Sequence, residues 1–393
     1  MKKLLALCLA LMLILTGCWD KVEIDKRAFV LGVAADVAPE SNGNKGMEDI
    51  EGYNANPFML TLEMPVFRLM TDQNSGSGGG NNSGQQKPAW TYSSTGTSFF
   101  EIERQMATRS DRVLFFGHQK VLIIGKELAE RHNLLDVLDF WARDPESTRG
   151  IKVLIADGLA KDILSAQPQM AQSASTFIAD QLQQGAKTAR FIDTDLCDFL
   201  HKLGDGSSML TGRISISEDK DIKIAGSGVI KDGKLLGWLG EQETRAAQFV
   251  MGQIKGGEVV VKDPKSKTGS LTFEIYSEHT QLKADFKDKK PSIVIEIRME
   301  GNIAEINGDK TADEAYIAKA EQAVSEELER EIDFMIDKLQ KQYKTDALGF
   351  GDYMEKHHYK EWKNIEKEWD DIYESMPISV HVDTKIRRVG MRY

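Results

Sequence analysis

The residues whose order most plainly predicts a reaction are Leu15-Thr16-Gly17-Cys18, which close the apolar run 4–15. A thiol set after an aliphatic and two small residues is the pattern of a bacterial lipobox. There the sulfur takes a diacylglyceryl group and a signal peptidase cuts before the cysteine. Thr16 and Gly17 let an extended chain enter the protease, and Lys2 and Lys3 supply a basic start. The apolar run is shorter than the roughly 20 residues needed to span a bilayer, and its length suits a signal-peptide core. An uncleaved anchor is the alternative, and the length argues against it. Cys18 would then be the first mature residue, carrying fatty acyl chains such as palmitate. Two chains on one residue anchor stably, where one is marginal.

Other reactive residues are sparse. Cys8 leaves with the signal and Cys18 is lipidated, so Cys197 is alone and no intrachain disulfide framework is available. In Leu196-Cys197-Asp198-Phe199-Leu200 it reads as a small buried hydrophobe. The seven histidines form no His-Glu-x-x-His pattern, and His357 and His358, adjacent on a helix, point about 100° apart. No Gly-x-Ser-x-Gly elbow is present. Gly76–Gly84 lacks the Gly-Lys-Ser/Thr of a phosphate loop, and Gly226-Ser227-Gly228 lacks the third glycine of a dinucleotide fingerprint. These readings predict no catalytic residue, no metal site and no cofactor.

The formal net charge is −11, and loss of Lys2 and Lys3 takes it to −13. An acidic chain is a poor nucleic-acid binder and is repelled by anionic lipid heads, so the lipid must hold it to a membrane. The remaining 376 residues after removal of 1–17 suffice for two or three domains.

The elements that must carry this chain read as α+β. Strands are expected at 28–37, 58–64 (half-buried, by alternation), 121–124 and 151–157, and helices at 98–108, 126–141 and 159–166. The Gly-rich stretch 74–84 reads as a loop insertion within one domain. Gly204–Ser208 suggests a boundary, and Lys231-Asp232-Gly233 a hairpin. Ile293, Ile295, Ile297 and Met299 alternate as one strand face. Ile317, Ala320, Val324, Leu328, Ile332, Met335, Leu339 and Tyr343 step by threes and fours along a helix over 313–344, with Glu326 and Arg330 as an i, i+4 pair. Gly349 and Gly351 flank Phe350 in a tight turn, a helix follows at 354–373, and a strand at 377–388. The organisation predicted is a signal at 1–17, an α/β domain at 18–203, a β-rich region at 204–255 and an α+β domain at 256–393.

Taken together, several segments resemble the Ger(x)C lipoproteins, the C subunits of nutrient germinant receptors in endospore-forming bacteria. The carriers are Gly17-Cys18-Trp19-Asp20 with Glu23-Ile24, the strand from Phe29 to Asp36, and Leu114-Phe115-Phe116-Gly117-His118-Gln119-Lys120 with its following strand. Arg143-Asp144-Pro145-Glu146 and the segment from Gln340 to Gly351, with Trp362 and Trp369 beyond it, complete the match. The insertion at 76–84 departs from the usual spacing.

The resemblance implies a mixed α/β protein on the outer face of the cell membrane, and on the inner spore membrane in the spore. It implies assembly with a channel-like A subunit and a transporter-like B subunit, with no catalytic activity. Phe350, Trp362 and Trp369 are candidate partner contacts, as an exposed aromatic makes a good anchor; core packing is the competing reading for the tryptophans. A solute-binding lipoprotein of a transporter is the other function class, and it would show two similar lobes. Whether the chain takes a small-molecule ligand is left open by the sequence.

Overall fold

The computed structural model describes residues 23–39, 58–66, 88–266, 268–287, 290–307 and 313–389. The chain is α+β, as expected. Cys18 and the Gly-rich stretch 74–84 lie outside the described residues.

Its larger layer is a mixed sheet of eight strands. Strands β2 (Gly32–Val37), β6 (Val121–Gly125), β7 (Lys152–Ala156) and β8 (Met209–Ile216) run parallel at its centre. Antiparallel strands β3 (Phe58–Pro65) and β4 (Ala89–Gly96) extend one side, and β9 (Ile222–Lys231) and β10 (Lys234–Leu239) the other. Central parallel strands are covered on both faces and therefore read as unbroken apolar runs. Val121-Leu122-Ile123-Ile124 does so and is wholly buried. β3 was expected to be half-buried from its alternation; Met59 to Met64 are instead buried on both faces, because helices cover this flank of the sheet too. Lys231-Asp232-Gly233 makes the expected hairpin. Asp232 and Gly233 sit at φ +51° and +72°, the two positive angles of a turn that matches strand twist.

Helices α1 (Phe99–Ala107), α2 (Lys126–Arg131), α3 (Leu134–Arg143) and α6 (Leu196–Gly204) bury their apolar sides in one core, and α4 (Ala160–Ser165) and α5 (Ala174–Gly185) in a second. The single helix expected over 126–141 is broken at His132-Asn133. Asn133 Oδ1 accepts the Leu135 N–H at 2.9 Å and restarts the chain as α3. Cys197 is exposed, against its expected burial. Leu196, Phe199 and Leu203 form the inward stripe of α6, and Cys197 lies a residue round from it.

A second sheet orders β11 (Glu258–Lys262), β12 (Ser270–Lys287), β13 (Lys290–Asn307) and β14 (Ile378–Arg388). Ile293, Ile295, Ile297 and Met299 of β13 point inward onto the 24-residue helix α8 (Glu314–Asp337). The α8 stripe is buried from Ala320 to Leu339, with Tyr316 replacing Ile317 at its start. Arg330 pairs with Glu327, not Glu326. The two sheets share one core: Leu210, Val229 and Leu239 join Phe249 of helix α7 (Glu241–Val250) and the α8 stripe. The β-rich stretch 204–255 thus supplies one flank of the larger sheet.

Candidate docking surfaces and the signature segments

The segment Gln340–Gly351 begins where α8 loosens into a π-helical turn, Lys338–Tyr343. Such turns displace side chains from the regular stripe. Buried Gln340 donates to the carbonyls of Tyr373 and Met376 at 2.7 and 2.9 Å, fixing the end of helix α11 (Trp369–Ser375). The Tyr343 hydroxyl accepts the Trp238 N–H and donates to the Trp238 carbonyl, each at 3.0 Å, binding the larger sheet. Gly237 allows that approach, since a Cβ there would lie 2.6 Å from the hydroxyl. Lys344 at φ +51° turns the chain. Asp346 then accepts the N–H groups of Gly349, Phe350 and Gly351 and the Trp369 indole N–H, at 2.6–3.2 Å. This caps helix α9 (Phe350–His357). Burial pushes the Asp346 carboxyl up, against the lowering pull of its backbone donors.

The expected aromatic contacts divide on this framework. Phe350 is fully buried and Trp369 is 8% exposed, so neither offers its ring as a surface anchor here. The cause is local: Gly349 at φ +84° drives Phe350 into the core, and Gly351 without a Cβ lets both tryptophans close over it. Trp362 is half-buried, edge-on to Trp369 at 5.2 Å. The expected helix 354–373 is broken into α9, the short α10 (Tyr359–Trp362) and α11.

The other quoted motifs also hold structure together. Gln119 is buried, donates to the Val121 carbonyl at 3.1 Å and accepts the Trp141 indole N–H at 3.2 Å. Asp144 accepts the Glu146 N–H and the Ser147 hydroxyl, folding the loop after α3. Two buried carboxylates went unread in the sequence. Asp36 on β2 accepts the N–H groups of Ala160 and Lys161 and caps α4; burial raises its pKa to about 6. Glu63 on β3 accepts the Ala174 and Ser175 N–H groups and the Ser175 hydroxyl at the start of α5, and burial raises it as well. A lone acid inside an apolar strand was the available signal. Each already serves a helix start, where negative charge is favoured. Among the described residues no group of three or more His, Cys, Asp or Glu could hold a metal ion.

An apolar trough lies beside α1 and α3. It has a volume of about 650 Å3 and is lined by Phe99, Phe100, Phe116 and Phe140. Phe99 stacks on Phe58 at 4.9 Å, and Phe140 meets Phe116 edge-on at 5.9 Å, so the floor is packed aromatic surface.

Comparison with known proteins gives the family. A profile described as "Spore germination protein N-terminal domain" matches residues 20–216, and one described as "Spore germination B3/ GerAC like, C-terminal" matches 225–390. The chain belongs to the spore germination GerAC family. Spore germination protein YndF of Bacillus subtilis (strain 168) is 28% identical over 387 residues, covering 97% of this chain and 95% of its own. Spore germination protein B3 is 26% identical over 388 residues, at 97% and 96%, and spore germination protein KC 26% over 414, at 100% and 97%; both come from the same organism. The crystal structure of the GerBC protein shares the fold, with a TM-score of 0.60 at 23% identity over 84% of this chain and 94% of that one. The two GerAC profiles meet inside the β8–β9 hairpin, so neither matched region closes the eight-stranded sheet alone. Among the described residues of this GerAC protein, no helix is long and apolar enough to cross a membrane.

Proposed function

We propose that the protein is the lipid-anchored C subunit of a nutrient germinant receptor. It acts by binding, held through Cys18 on the outer face of the membrane beside polytopic A and B subunits. The observation that carries this reading is the run of family matches from residue 20 to 390, starting two residues after the lipobox cysteine. A tether confines the protein to a thin layer and raises its effective concentration near membrane partners. The acidic surface needs that tether, since anionic lipid repels it.

Two differently ordered sheets, of eight and four strands, favour this reading over a solute-binding lipoprotein built from two like lobes. In the proposed organisation residues 1–17 are the signal and Cys18 begins the mature chain. Trp362, the half-buried member of the expected aromatic set, is a candidate partner contact. Mass spectrometry of the protein purified from membranes tests the anchor. The expected N-terminus is a diacylglyceryl Cys18, absent from a Cys18→Ser variant, and a retained 1–17 or a bare thiol overturns it.

A further inference from the structure

The trough beside α1 continues toward the point where the described chain begins. A second cavity of about 690 Å3 shares Glu103, Arg104, Val113 and Leu114 with the first and is walled by Glu23 and Lys26. The two cavities therefore adjoin along α1 and strand β5 (Val113–Phe115). Val113 and Phe100 are 58% and 56% exposed there, and the Arg104 guanidinium sits over the Phe100 ring at 4.8 Å, so this aromatic surface already accepts a cation. Strand β5, which supplies Val113 and Leu114, pairs in parallel with β1 (Arg27–Phe29), the first strand after the anchor. Glu23 follows Cys18 by five residues, which span at most about 18 Å when extended. A lipid on Cys18 would therefore hold the Glu23 end of the second cavity within about 18 Å of the membrane surface.

The trough's rim is acidic. Arg143 is paired with Asp139 at 2.7 Å and Arg104 with Glu103 at 3.3 Å. Among the described residues no cation pairs with Asp136, Asp144 or Glu146, which line the same rim. Asp144 and Glu146 lie close enough to Glu103 to help raise its pKa, after the larger effect of burial. Crowded carboxylates over an aromatic floor repel anionic lipid heads and favour a cationic, apolar occupant.

We infer that this trough docks an extracytoplasmic segment of a membrane-embedded partner, an apolar stretch flanked by lysine or arginine. The inference rests on the receptor-subunit reading and adds the place and the chemistry of contact. An apolar side chain would fill the space over Phe99 and Phe140 and its basic neighbours would meet Asp136 and Glu146.

The test is site-specific photo-crosslinking in full-length, lipidated protein in spore membranes. A photoreactive phenylalanine replaces Phe100, or Phe334 on α8 as a remote exposed control. The expected result is a Phe100 adduct to a polytopic subunit, on a peptide with an apolar run and a Lys or Arg within a few positions. Combined Asp136→Lys and Glu146→Lys substitution should lower that adduct at least tenfold, with an unchanged melting temperature. Adducts to a second copy, to residues 1–22 of the same chain, or to lipid overturn the inference, as does insensitivity to charge reversal. A membrane-subunit adduct from Phe334 alone overturns the trough while leaving the receptor reading intact. No membrane-subunit adduct from either site, with no such subunit co-purifying, removes both.

Discussion

Asp346→Asn is the substitution whose cost follows most directly from geometry. Oδ1 of Asp346 accepts from Gly349 and Phe350, and Oδ2 from Gly351 and Trp369. An asparagine of the same shape keeps one oxygen. In either amide orientation the NH2 then faces two donors, and two buried N–H groups lose their acceptor. At about 1–3 kcal/mol for each, with partial relief by water, the loss is roughly 3–4 kcal/mol. For a unit of this size that lowers the melting temperature by about 4–5 °C. The control is Asp352→Asn six residues on, whose carboxylate is half-exposed and bridges to Lys202. That pair should be worth less than about 1 kcal/mol. Thermal unfolding read by tryptophan fluorescence reports the site itself, because Trp369 is one of the donors. Equal losses in the two variants, or an Asp346→Asn loss under about 1 kcal/mol, would refute the view that this carboxylate holds the junction together.

Three further outcomes are expected. Asp36 has a folded pKa of about 6 against 3.8 when free, so its protonation stabilises the fold fully below pH 3.8 and that contribution is lost as pH rises through 6. Urea denaturation from pH 4 to 7 should show wild type losing about 2 kcal/mol relative to Asp36→Asn; a pH-independent difference contradicts this. Gly32→Ala would place a Cβ 1.8 Å from Ser175 Oγ, itself held by Glu63, and should cost about 1–3 kcal/mol, whereas Gly150→Ala, with nothing within 4 Å, should be near neutral. Trp362→Ala should keep the fold, with a loss of about 1–3 kcal/mol from its contact with Trp369, and should reduce co-purification of membrane subunits below its melting temperature; undiminished recovery removes Trp362 as a contact.

What the sequence made legible was periodic. The α8 stripe, the alternating face of β13 and the Lys231-Asp232-Gly233 turn are local patterns that needed no knowledge of neighbours. Helix α5 was missed, although Ala174, Ile178 and Leu182 fall four apart, because Glu63, over a hundred residues away, caps its start. The breaks at Asn133 and around His358 are cap and packing events that a continuous apolar face does not reveal. Phe350 illustrates the limit for the candidate site. Flanking glycines correctly suggested a sharp turn, with Gly349 taking the positive φ. Which way that turn aimed the ring depended on Asp346 and on two tryptophans arriving from later in the chain.

The central claim is that the chain is a membrane-tethered receptor subunit, and recovery of its partners tests it most directly. The measurement is affinity purification of the lipidated protein from spore membranes, with mass spectrometry of what accompanies it, alongside Cys18→Ser. The account predicts two polytopic subunits with wild type and their loss with the variant. Recovery of transporter components, or of a bound small molecule with no membrane subunit, would contradict it.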